Sequence, residues 1–111
     1  MARAAATADP FNAVAEPQRR RILTLLKGRE RSVNDLAGRL RVSQPRVSKH
    51  LRVLREVDLV RARSVGRTRL YRVNGPALRP VHDWVGRFEQ LWNERYDRLD
   101  DYLVELMQED R

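Results

Sequence analysis

The stretch Ser43-Gln44-Pro45-Arg46-Val47-Ser48-Lys49-His50-Leu51-Arg52-Val53-Leu54, SQPRVSKHLRVL, runs an apolar stripe through a row of hydroxyls, an amide and three cations. At helical period Val47, Leu51 and Leu54 fall at i, i+4 and i+7, so they stack on one face and can be buried together. Ser43 suits an N-cap, and Pro45 suits the first turn, where its missing N–H costs nothing. The spacing therefore predicts a helix starting at about Gln44. Its other face presents Gln44, Arg46, Ser48, Lys49 and Arg52, with no carboxylate before Glu56. A face made only for water would mix both signs and support i,i+4 ion pairs; this one is expected to meet an anion. His50 sits at the boundary between the two faces, where a packing imidazole and a phosphate ligand are both open readings.

On the N-terminal side, Ser32 caps VNDLAGRL, with Asp35 at the third helical position as a shorter relative of the capping-box acid. Val33, Leu36, Ala37 and Leu40 face inward. That helix ends near Arg41, and only Arg41-Val42-Ser43 separates it from the next, which is the signature of a helix-turn-helix. Earlier still, Pro17 opens a helix whose Ile22, Leu23, Leu25 and Leu26 give a wide buried face up to Gly28. Asp9-Pro10 opens a short helix holding Phe11, Val14 and Ala15, stopped by Pro17. Residues 1–8 read as a loose tail.

On the C-terminal side the period changes. LVRARSV and TRLYRV are two β-prone runs joined at Gly66-Arg67, a small hairpin with Arg63, Arg67 and Arg69 set between apolar residues. Those arginines fit a charged edge that blocks strand-to-strand aggregation, and equally a contact with duplex phosphates or a minor groove. Asn74-Gly75-Pro76 then breaks the chain. From about 77 to 108 the pattern predicts one long helix, its first turn disturbed by Pro80. Its apolar positions, among them Val81, Trp84, Val85, Phe88, Leu91, Trp92, Leu99 and Leu106, come close to a 3-4-3 repeat. No core this small needs all of them, so a partner helix is expected on Trp84, Phe88, Leu91, Trp92 and Leu99. A ligand pocket lined by Trp84, Phe88 and Trp92 is the alternative.

The whole chain has 111 residues, enough for one modest core, and a formal charge of +8. The charge is unevenly placed: residues 1–75 hold 18 Lys+Arg against 6 Asp+Glu, and residues 76–111 hold 5 against 9. Arginine dominates, with Lys27 and Lys49 the only lysines, and arginine is the side chain suited to bidentate phosphate and guanine contacts. The front half thus offers a positive field to a polyanion while the tail has another task. Absence of cysteine excludes disulfides and thiolate metal sites. No apolar run approaches a membrane span, and MARAAATADP lacks the apolar core of a signal peptide; a soluble cytoplasmic protein associated with the nucleoid is expected. Catalysis finds little support, because the two histidines lie 32 positions apart and no Gly-rich phosphate loop or carboxylate pair stands out.

LAGRLRVSQPRVSKHLRVLREVDLV, followed by RSVGRTRLYRV and preceded by DPFNAVAEPQRRRILTLL, resembles the ArsR/SmtB family of winged-helix repressors over about residues 9–105. The resemblance implies a homodimer that binds a double-stranded DNA operator until a signal releases it. It matches Ser43, Gln44, Arg46, Ser48 and Lys49 to the major-groove positions, and Arg63, Arg67 and Arg69 to the wing. It matches Phe11, Val14, Trp84, Phe88 and Leu91 to the dimer helices. The metal-sensing branch carries a cysteine pair on the third helix or a His/Asp set on the last. Here the third helix offers only Asp35, and the last only His82 and Asp83, so the chain is similar to the branch without recognised metal sites.

The expected architecture is mainly α with a small β-hairpin: a tail (1–8), a winged helix-turn-helix core (9–75) and a long C-terminal dimerisation helix (76–111). The expected function is a homodimeric repressor of an inverted-repeat operator, with neither metal nor cofactor and no enzymatic activity. Its releasing signal stays open among a small molecule, a partner protein and protein concentration. Two other classes compete: a protein-interaction module using the exposed last helix, and a winged-helix RNA binder. Strong sequence preference on duplex DNA separates the three.

Overall fold

The computed structural model describes residues 9–92 and 94–109, with the side chains of 94–97, 99 and 100 outside that description. The expected tail, residues 1–8, also lies outside the described residues. The chain divides into two compact units, one up to Pro80 and one from Val81 onward.

The first unit opens with α1 (Pro10–Ala15) and α2 (Pro17–Leu26), each started by a proline behind an acidic cap. Asp9 Oδ1 accepts from Asn12 N at 2.7 Å and Glu16 Oε2 from Arg19 N at 2.9 Å, satisfying N–H groups that the helix itself cannot pair. The Arg19-Arg20-Arg21 run spends two of its guanidiniums on the end of α1. Arg19 donates to Ala13 O and Asn12 O, and Arg20 to Val14 O and Ala15 O. These are the C-terminal carbonyls where a helix dipole favours cations.

After Gly28 (φ +74) comes β1 (Arg31–Ser32), then α3 (Val33–Leu40) and α4 (Gln44–Glu56). Strands β2 (Val60–Val65) and β3 (Thr68–Val73) follow. The expected two-stranded hairpin is in fact a three-stranded antiparallel sheet of order β1-β3-β2, with Arg31 opposite Tyr71 and Ser32 opposite Leu70. A two-residue strand carries no alternation of its own, and Ser32 doubles as the α3 cap, accepting from Asp35 N at 3.1 Å.

The core is made of the expected stripes. Ile22, Leu23 and Leu26 of α2, Leu36 and Leu40 of α3, and Val47, Leu51 and Leu54 of α4 are all buried together. Each fully buried aliphatic side chain of this kind contributes about 1.5–3 kcal/mol. Leu59, Val60 and Tyr71 join the same cluster and fasten the base of the sheet to the helices. On α1 the buried residue is Ala13; Val14 is partly buried and Phe11 is exposed.

Beyond the sheet, the single expected long helix is replaced by several shorter ones. A 3₁₀ turn (Gly75–Leu78) leads into α5 (Arg79–Gly86), a short α6 (Glu89–Trp92) and α7 (Glu94–Glu109). The α5 helix ends at Gly86, a poor residue for a helix interior. Arg87 N, Phe88 N and Leu91 N donate to Trp84 O, Val85 O and Phe88 O, three-residue spacings that tighten the backbone out of α geometry. The 3-4-3 repeat is therefore interrupted between Trp84 and Phe88, and those residues do not belong to one straight seam. Leu99 lies in α7, its side chain outside the described residues.

Candidate nucleic-acid interface

Helix α4 is held by its inward stripe and turns its polar face outward. Ser43, Gln44, Arg46, Ser48, Lys49 and Arg52 are all exposed at the surface. Among the described residues Arg46, Lys49 and Arg52 have no ion-pair partner. Ser43 stands at the N-cap position in extended conformation, yet its hydroxyl makes no cap hydrogen bond. Pro45 removes the second-position N–H that such a cap can use, although the caps of α1 to α3 accept from the third position. The Ser43 hydroxyl thus stays at the same end of the helix as Gln44 and Arg46, without a cap role.

The turn before α4 is set by Arg41, which takes a left-handed conformation (φ 56, ψ 43) while Val42 N donates to Ala37 O at 3.2 Å. That short cap fixes the angle between α3 and α4. Asp35, expected to help cap α3, instead takes Arg31 at 2.8 Å and Arg39 at 3.0 Å. Arg31 first and Arg39 next hold its carboxyl below the usual range.

The wing turns at Gly66, whose φ of +61 at the first central position is the type II′ pattern that suits a two-residue hairpin. Arg67 and Arg69 follow at once, Arg67 exposed and without an ion pair among the described residues, and Arg69 lying 5.7 Å from the Tyr71 ring centre. The wing tip and the start of α4 share a cleft of about 310 Å³ lined by Ser32, Val33, Asn34, Gln44, Arg67, Thr68 and Arg69. The fold thus brings Gln44 together with two of the wing arginines. Ser32, Asn34 and Thr68 complete the cleft, and only the register of β1 against β3 could have placed them there.

Two expected DNA ligands sit differently. Arg63 points to Glu30, a residue 33 positions away, through Nε at 3.1 and 2.8 Å and Nη2 at 2.7 Å. That bond holds the Glu30 carboxyl below its usual range. His50 is mostly buried, its side chain 16% exposed, with Nδ1 3.9 Å from Glu16 Oε2 at the junction of α1 and α2. Burial pushes its imidazole below the usual value; Glu16 opposes that, and Arg19, Arg46 and Lys49 add to it.

In the second unit Trp84, Phe88, Leu91 and Trp92 are exposed, with Trp84 and Phe88 in an edge-to-face contact at 5.2 Å. His82 Nδ1 and Asp83 Oδ1 are 3.2 Å apart. Among the described residues no three or more His, Cys, Asp or Glu side chains come close enough to hold a metal ion. No described helix is long and apolar enough to cross a membrane.

The model of bacterial regulatory proteins of the arsR family matches residues 16–62, from the α2 cap through the first half of β2. The transcriptional repressor SdpR of Bacillus subtilis (strain 168) is 32% identical over 78 residues, covering 70% of this chain and 87% of that protein. A solved ArsR-like transcriptional regulator from Rhodococcus sp. RHA1 superposes with a TM-score of 0.65 at 32% identity, over 86% of this chain and 87% of that one. The chain belongs to the arsR family. This arsR-family protein is also 44% identical over 64 residues to the transcriptional repressor SmtB homolog of Synechocystis sp. (strain ATCC 27184 / PCC 6803 / Kazusa), but spans only 48% of its length. As a member of a family of transcriptional regulators, it is not an enzyme.

Proposed function

We propose that this arsR-family regulator is a homodimeric repressor that binds an inverted-repeat DNA operator and does not sense metals. Each subunit sets the N-terminal half of α4 in a major groove, and a two-fold dimer presents the pair about one helical turn apart. The observation that carries this reading is the outward face of α4, whose cations Arg46, Lys49 and Arg52 lack carboxylate partners among the described residues and whose Gln44 lines the wing cleft. Arg46 and Lys49 are suited to guanine edges and Gln44 to adenine. Ser43 and Ser48 add hydroxyls suited to bases or phosphates. Selection of bound sequences from a random duplex pool tests the proposal: the recovered sites should share an imperfect inverted repeat, and a pool that stays random would refute it.

The wing carries a separate expectation. Arg67→Ala should weaken operator and unrelated DNA almost equally, and should flatten the slope of log affinity against log salt by about one unit, the share of a single neutralised phosphate. Titrations at several salt concentrations measure both quantities. A weakening confined to the operator, with an unchanged slope, would assign Arg67 to base reading instead.

The non-metal reading rests on donor chemistry: zinc needs three or four closely placed ligands, and His82 with Asp83 supplies two adjacent ones. Zinc, nickel, cadmium and arsenite should leave the operator complex intact in a mobility-shift titration. Stoichiometric zinc binding with release of DNA would reverse this assignment.

A further inference from the structure

We propose that Glu30 is a positioning residue for the wing: by gripping Arg63 it sets the direction in which the Gly66-Arg67 tip is presented, and Arg63 serves DNA binding through that geometry without touching a phosphate. The inference rests on the DNA-binding reading above. In the sheet, Arg63 lies opposite Leu70 and Ser32 lies opposite the same Leu70 from the other side. Arg63, Leu70 and Ser32 therefore share a rung and a face, and the Arg63 side chain crosses β3 to reach Glu30, just before β1. Two strand spacings amount to about 10 Å, a gap that an arginine and a glutamate can close only when both are extended.

Such a strut has a reason to exist here. The strand β1 pairs over two residues only, while β2 and β3 run on for two further rungs, Ser64–Arg69 and Val65–Thr68, to the turn. Arg63 stands on the last rung that β1 reaches, and Glu30, two residues before Ser32, holds it diagonally from the start of β1. Both Nε and Nη2 of Arg63 are engaged by the carboxylate, a planar fork that fixes direction as well as distance. Exposed ion pairs add little to overall stability, so the consequence of this one lies in where the wing points.

The test uses the full chain and the variants Glu30→Gln, Arg63→Gln and the exchanged pair Glu30→Arg/Arg63→Glu. Without DNA, amide exchange at Val65 and Thr68, the hydrogen-bonded pair that closes the hairpin, should quicken in both single variants and return towards the parent rate in the exchanged pair, while the thermal midpoint hardly moves. Unchanged exchange in the single variants would overturn the strut itself. With DNA, Glu30→Gln should weaken operator binding by a factor of about two to five with an unchanged salt slope, and the exchanged pair should recover most of that affinity. Tighter binding with a steeper slope in Glu30→Gln would overturn the proposal, because it would mean that the freed Arg63 reaches a phosphate. An exchanged pair weaker than either single variant would overturn it too, since a glutamate at 63 would then face the duplex. If the parent protein shows no preference for any duplex sequence, the DNA-binding reading fails and with it the role in binding, while amide exchange still decides the strut.

Discussion

Replacing Phe88 and Leu91 together by alanine is expected to give a folded monomer whose operator affinity is lower by about two orders of magnitude or more. Truncating a buried aromatic usually costs a domain about 3–5 kcal/mol, but Phe88 is 42% and Leu91 80% exposed within the subunit. The penalty should therefore fall on association and spare folding. Trp84, Val85, Trp92, Tyr102, Leu103 and Met107 are exposed in the same unit, more apolar surface than a monomer of this size ordinarily leaves uncovered. A monomer engages one half-site and forfeits the gain from linked binding. Sedimentation together with an operator titration checks both halves of the claim. A double variant that stays dimeric would place the interface elsewhere, and a folded monomer with undiminished affinity would remove the need for a dimer.

The second large effect is expected at α4. Arg46→Ala and Lys49→Ala should each weaken operator binding by about 1–3 kcal/mol, with a smaller effect on unrelated duplex, if each reads a base edge. Both side chains are exposed and belong to none of the buried stripes, so the thermal midpoint should stay near that of the parent. Operator titration of the double variant, set beside its melting curve, makes the comparison. An unchanged affinity would take base reading away from these positions.

The parts of this structure that were legible in the sequence are those governed by periodicity. Val47, Leu51 and Leu54 announced both the helix and its buried side, and Pro45 announced where it starts. Gly66 announced the wing turn because the two-residue connection requires a positive φ. What stayed hidden depends on partners distant in sequence or on competition between them. The Glu30–Arg63 fork joins residues 33 apart, and no spacing rule links them. The bonds of Arg19 and Arg20 to the α1 carbonyls cannot be told, by charge count alone, from a nucleic-acid surface. Asp35 had two candidate partners, the α3 cap and the flanking arginines, and the arginines won. The break after Gly86 was concealed because apolar spacing continues through it. The cleft beside Gln44 exists only once β1 pairs with β3, and a strand of two residues leaves no signature.

The most direct test of the central claim is a titration of the parent protein against three duplexes at fixed salt: the selected inverted repeat, the same bases scrambled, and RNA of the selected sequence. A repressor that reads bases through α4 and steadies itself with the wing should prefer the inverted repeat over the scrambled duplex by about a thousandfold or more. It should bind the RNA duplex no better than the scrambled DNA, since the deep, narrow major groove of A-form RNA excludes side chains. Equal affinity for the first two duplexes, or tighter binding to the RNA, would contradict the account.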